Sequence, residues 1–151
     1  MVGIDDLILP QTFISNSAFE TNELGMNFGM QLPSNSVVCF FGDLGAGKTT
    51  FIKGLAAGIL GTHGDEVNSP TFTYLNIYHG NQTLYHFDLY RLRDADEFLS
   101  MGFDEVFDAG GISCVEWSEK IASLIPEEAI TVRMAHLGGD QRKIVISRDS
   151  I

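Results

Sequence analysis

Val37-Val38-Cys39-Phe40-Phe41-Gly42-Asp43-Leu44-Gly45-Ala46-Gly47-Lys48-Thr49-Thr50 is the stretch that decides the fold. Its leading apolar run predicts a fully buried strand, and it passes directly into Gly42-x4-Gly47-Lys48-Thr49, the Walker A pattern. Gly42, Gly45 and Gly47 allow left-handed backbone angles and close approach to an anion. The amides of Asp43, Leu44, Gly45, Ala46, Gly47, Lys48 and Thr49 can then point inward as a nest at a helix N-terminus, with Thr50 following. Lys48 would neutralise β- and γ-phosphate oxygens, and the Thr49 hydroxyl would sit on Mg²⁺. A glycine-rich turn that binds nothing is the plainer alternative. The strand before the turn and the helical pattern after it favour a phosphate cradle.

Working outward, a chain of 151 residues with 44% hydrophobic and 11% aromatic content fits one globular domain, residues 1–151. Twenty acids against nine bases give a net charge of −11, which disfavours a protein that grips nucleic acid through its own surface. If RNA is involved, a partner should hold it. With no signal-peptide pattern and no apolar run near about 18 residues, the expected location is cytoplasmic. Cys39 and Cys114 lie in apolar strand-like runs and read as small buried hydrophobes rather than a disulfide or metal pair.

Upstream of the cradle, Thr12-Phe13-Ile14 predicts a short edge strand. Ser17 and Glu20 have capping-box spacing, and Phe19, Leu24, Phe28 and Leu32 trace a helical face up to Pro33. Downstream, a helix is predicted from Lys48 through Phe51, Ile52, Leu55, Ala56 and Ile59 to a Gly61 C-cap. A loop over 62–70 precedes two β-rich runs, 71–78 and 83–89, separated by Gly80-Asn81 as in a hairpin. Asp94 would cap a short helix ending at Gly102, and 103–111 reads as an irregular acidic linker. Residues 112–117 form a second buried strand, followed by a short helix through Lys120 and Leu124 that stops at Pro126. Residues 129–135 and 143–147 close the chain as a hairpin through Gly138-Gly139-Asp140. Strands alternating with helices predict an α/β fold, a mostly parallel P-loop-type sheet flanked by helices with antiparallel hairpin additions.

Mg·ATP chemistry also needs a carboxylate at a strand end to hold the metal or orient water. Glu116 is the first candidate, closing an apolar strand as a Walker B acid does; a solvated strand-end acid would look the same. Asp88, in His86-Phe87-Asp88-Leu89-Tyr90-Arg91, is the second, with His86, Asp88 and Tyr90 expected on one strand face. Asp108-Ala109-Gly110-Gly111 fits the D-x-x-G of a switch, but with no guanine-reading motif after it a turn is the better reading. Trp117 is either core or an aromatic wall near the nucleotide. His63, His79 and His136 suggest no role.

In order along the chain, the Walker A segment, Asn68-Ser69-Pro70-Thr71-Phe72, His86-Phe87-Asp88-Leu89-Tyr90-Arg91-Leu92, Glu97 with Met101-Gly102, and Glu116-Trp117 resemble the bacterial TsaE family. That family is the small P-loop ATPase subunit of tRNA threonylcarbamoyladenosine biosynthesis. The resemblance covers about Phe19 to Ser118. It implies ATP hydrolysis with Mg²⁺ held by Thr49 and Glu116, a catalytic or switch role for Asp88, and a mobile segment around Ser69-Pro70-Thr71. It further implies that ATPase activity appears on docking to the subunits TsaB and TsaD, which act on adenosine 37 of tRNA. Ser118 stands where the family usually has Pro. An adenine pocket is expected near the N-terminal strand and the last hairpin.

Two other readings stand beside an ATPase subunit. A small metabolite kinase would need Arg residues from a lid, and only Arg91, Arg93 and Lys120 are basic between Lys53 and Arg133. A nucleotide sensor that never hydrolyses ATP would not need Asp88 and Glu116. The catalytic residues expected are Asp88, Glu116 and Lys48, and a chain this poor in cations should be slow without a partner that closes the site.

Overall fold

The computed structural model describes residues 8–43, 45–61 and 74–148. Leu44, the expected 62–70 loop with its Ser69-Pro70-Thr71 segment, and the first part of the 71–78 run lie outside these residues, as does His63.

A seven-stranded sheet runs in the order β1-β7-β6-β2-β5-β4-β3. Its centre is the Walker strand β2, Val37–Gly42, whose neighbours β5 (Ile112–Glu116) and β6 (Ile130–Gly138) both run parallel to it. β4 (Leu84–Asp88) extends the parallel core beyond β5. Antiparallel strands finish both sides: β3 (Leu75–Tyr78) on β4, then β7 (Gln141–Ser147) on β6 and β1 (Gln11–Ser15) at the far edge. This is the expected α/β sheet with hairpin additions. β2 needs apolar residues at successive positions because both of its faces are covered. Val38 and Phe40 enter one core cluster, and Val37 and Cys39 enter the other.

The first cluster lies under α1 (Ala18–Gln31) and α2 (Lys48–Leu60). Ser17 caps α1, its Oγ accepting from Glu20 N at 3.1 Å, while Glu20 Oε2 accepts from Asn16 N at 2.7 Å. The inward face of α1 is Thr21, Gly25, Phe28 and Gly29. Phe19, expected on that face, is 71% exposed. The correction has a plain cause: the helices meet through glycine, which an apolar template ignores. A Cβ on Gly25 or Gly29 would strike the carbonyls of Phe51 and Leu55, and one on Gly54 or Gly58 those of Asn22 and Met26. Backbones in such contact leave no room for larger side chains.

The second cluster gathers Phe87, Phe98, Phe103 and Phe107 in edge-on, tilted and stacked contacts 5.5–5.9 Å between centroids. Asp94 caps α3 (Ala95–Ser100) as expected. The supposed acidic linker after it is instead a 3-10 helix, Phe103–Asp108, that turns its aromatics into this cluster. β5 stops one residue earlier than expected, because Trp117 adopts φ 61° and begins the 3-10 segment Ser118–Leu124. Cys39 and Cys114 are buried free thiols. Burial pushes Cys39 up to about 11 and Cys114 well above the ordinary range.

Candidate functional site

The Walker turn leaves the carboxyl end of β2 and enters α2 at Lys48. Gly45 at φ 84° and Gly47 at φ 94° hold left-handed angles open only to glycine at low cost. Gly42 closes the strand where a Cβ would meet Met134 O at 2.7 Å. Asp43 O accepts from Ala46 N at 3.0 Å, and Gly47 O accepts from Phe51 N at 3.0 Å, so the turn is locked by its own backbone. Ala46 is buried, Lys48 and Thr50 are half-buried, and Asp43 and Thr49 are exposed. Leu44 lies outside the described residues.

The strand order brings the two candidate acids to this turn. Glu116 on β5 is in register with Phe40 of β2 on one side and with Asp88 of β4 on the other. Two carboxylates therefore end adjacent parallel strands, next to the strand that leads into the Walker turn. Burial raises the Asp88 carboxyl above its ordinary value; the amide of Tyr90, donating to Oδ1 at 3.1 Å, opposes this, Glu116 adds to it, and His86 and Lys48 oppose it. Lys48 thus acts electrostatically on Asp88, linking cradle and acid.

His86 shares a strand face with Asp88, as expected, and acts electrostatically on it. It turns to the neighbouring strand, where Nε2 donates to Glu116 Oε2 at 2.9 Å. The ring is 2% exposed and its Nδ1 has no hydrogen-bond partner among the described residues. Leaving such an atom unpaired costs about 1–3 kcal/mol. Spacing alone gives no hint of this contact, since the partners are 30 residues apart. Glu116 O also accepts from Leu89 N at 3.1 Å, and Tyr90 packs on Trp117 at 5.0 Å between ring centroids. Tyr90, expected on strand β4, lies beyond it in an exposed turn. A positive φ on a residue as bulky as Trp117 is strained, and it sits directly beside the acid.

Among the described residues, no three His, Cys, Asp or Glu side chains converge on one point. The described residues thus offer no all-protein cage, whereas a nucleotide-borne Mg²⁺ needs few protein donors because it keeps phosphate and water ligands. Arg142 lies against the turn, its Nε 3.6 Å from where a Cβ on Gly47 would stand, and its guanidinium donates to Gly139 O and Gln141 O at 3.0 Å each. Elsewhere Lys120 Nζ donates to Leu92 O at 3.1 Å, Arg93 pairs with Asp94 at 3.6 Å, and Arg133 stacks 4.5 Å over the Phe41 ring. A cleft of about 60 Å³ opens beside the turn, lined by Ala18, Thr21, Gly47, Thr50, Asp140 and Arg142. It joins the start of α1 to the last hairpin, close to where the adenine pocket was expected.

No helix among the described residues is long and apolar enough to cross a membrane. The profile of the family described as "Threonylcarbamoyl adenosine biosynthesis protein TsaE" matches residues 15–144. The tRNA threonylcarbamoyladenosine biosynthesis protein TsaE of Treponema pallidum is 42% identical over 134 residues, covering 89% of this chain and 98% of that protein. Its counterpart in Bacillus subtilis is 44% identical over 112 residues, covering 74% and 68%. The crystal structure of YdiB from Bacillus subtilis superposes with a TM-score of 0.75 at 31% identity, over 93% of this chain and 86% of that one. Its fold has the same mostly parallel core with antiparallel edge strands. A match across both the Walker strand and the Glu116 strand, supported by a shared fold, places the chain in the TsaE family, with a part in threonylcarbamoyladenosine biosynthesis on tRNA.

Proposed function

We propose that the chain is a Mg²⁺-dependent ATPase subunit, one P-loop domain over residues 1–151, that works docked on TsaB and TsaD in cytoplasmic tRNA modification. The observation that carries this reading is the register of Asp88 with Glu116 beside the Walker strand, with Lys48 acting on Asp88. In this reading the amides from Asp43 to Thr49 and the Lys48 ammonium hold the phosphates. Thr49 and Glu116 hold the cation, which when bound would neutralise charge on the β- and γ-oxygens. Asp88 orients the attacking water or senses the γ-phosphate. The cleft by Thr50 and Arg142 receives the nucleoside end.

Phosphoryl transfer is mainly positioning and charge neutralisation. With Lys120 tied to a carbonyl, Arg93 to its neighbour and Arg142, beside the turn, to the carbonyls of Gly139 and Gln141, few described cations are left to stabilise the transferred group. Turnover by the chain alone is therefore slow, and a partner that adds charge or excludes water accelerates it. The same shortage disfavours a kinase, which needs a basic lid over its acceptor. The test is partner-stimulated turnover of Asp88→Ala and Glu116→Ala, each expected to fall by about 100-fold or more. Turnover within a few-fold of the unsubstituted chain in both would overturn the reading.

A further inference from the structure

We propose that His86 is a positioning residue for Glu116, holding that carboxylate in the one orientation in which it serves the cation. This rests on the reading of Glu116 as a cation ligand. Three observations carry it. The ring is almost wholly enclosed, at 2% exposure, in the layer of the sheet that holds Leu84, Ile112 and Cys114. Among the described residues its one hydrogen bond is Nε2 to Glu116 Oε2 at 2.9 Å, made across β4 and β5 rather than along one strand. Its other nitrogen, Nδ1, is left without a partner among the described residues. An imidazole placed there for packing alone would be better replaced by an apolar side chain, which carries no unpaired nitrogen. The Nε2–H bond is what the buried ring supplies, and it engages one carboxylate oxygen and leaves Oε1 for other work. Because a carboxylate can only accept, Nε2 carries the proton and the tautomer is set by this contact. Groups that orient a ligand in this way typically change metal affinity or activity by about 10–100-fold when removed.

The test compares two replacements of nearly the same length in the full chain. His86→Gln keeps an N–H donor near the Nε2 position, and His86→Met fills similar space without one. His86→Asn, too short to reach Oε2, carries the Met expectation and serves if the Met chain does not fold. Mn²⁺ binding to the chain loaded with a non-hydrolysable ATP analogue is followed by electron paramagnetic resonance, beside analogue binding in EDTA, ATP turnover and thermal melting. His86→Met is expected to bind the analogue in EDTA within about twofold of the unsubstituted chain, but to lose about tenfold in Mn²⁺ affinity and kcat, with KM little changed. His86→Gln restores most of both. Unchanged Mn²⁺ affinity in His86→Met, or equal loss in Gln and Met that follows melting temperature, overturns the proposal. Glu116→Gln separates the two readings. If it leaves Mn²⁺ affinity intact, Glu116 is not the cation ligand and both readings fall. If it weakens Mn²⁺ while His86→Met does not, only the role of His86 falls.

Discussion

The two faces of the central strand are packed by different means. On one side, α1 and α2 lie backbone against backbone, with Gly25, Gly29, Gly54 and Gly58 at the crossing. On the other, α3 and two 3-10 segments rest on the rings of Phe87, Phe98, Phe103 and Phe107. Ring packing can readjust when one side chain changes, whereas two touching backbones have nowhere to go. α2 starts at Lys48, so the unyielding face carries the Walker turn. The ring-packed face holds the segments that follow Asp88 and Glu116.

Replacing Gly54 by Val should show this contrast most strongly. Its side chain has to displace the Asn22 carbonyl, and the expected loss is at least about 3 kcal/mol of unfolding free energy, read by urea denaturation, together with nucleotide binding. A midpoint close to that of the unsubstituted chain would show that α1 can move away, and the contrast would collapse. Phe98→Leu, at a fully buried ring, is expected to cost only about 1 kcal/mol. A loss as large as that of Gly54→Val would mean the ring face is equally unforgiving.

Asp88 gives a smaller effect with a definite sign. Burial raises its carboxyl, so the folded chain binds that proton more tightly than the unfolded chain does. Stability is therefore lost as pH rises from the unfolded value through the raised folded value. Asp88→Asn keeps the oxygen that accepts from Tyr90 N and removes the charge. It is expected to melt slightly above the unsubstituted chain at neutral pH, the gap closing below the unfolded value of 3.8. A lower melting temperature near pH 7 contradicts this. The smallest effect expected is none at all: with Cys39 and Cys114 buried and their thiols raised, a thiol reagent near pH 7.5 should label neither until the chain is unfolded. Rapid labelling of the folded chain would show that the sheet opens around β2 and β5.

Much of this architecture could be read from residues. The unbroken apolar run of β2, the glycine-spaced turn and the Ser17, Asp94 and Gly61 caps are local signals, and local signals survive into the fold. Glu116 and Asp88 were visible as strand-end acids, but their adjacency depends on the order β2-β5-β4, which only long-range pairing decides. For the same reason the shared strand face of His86 and Asp88 was legible, while the contact of His86 with Glu116 on the neighbouring strand was not. The helix face was misplaced onto Phe19 because glycine contributes nothing to an apolar pattern yet permits the closest packing in the molecule. The 103–108 segment looked like a linker because its acids masked the Phe103–Phe107 spacing.

The most direct test of a cradle served by Asp88 and Glu116 is ATP hydrolysis in Mg²⁺ by the chain alone, then with TsaB and TsaD added. A low rate that rises on addition, and is lost in Glu116→Ala, is the predicted result. A brisk rate that ignores the added subunits and the Glu116 substitution would contradict it.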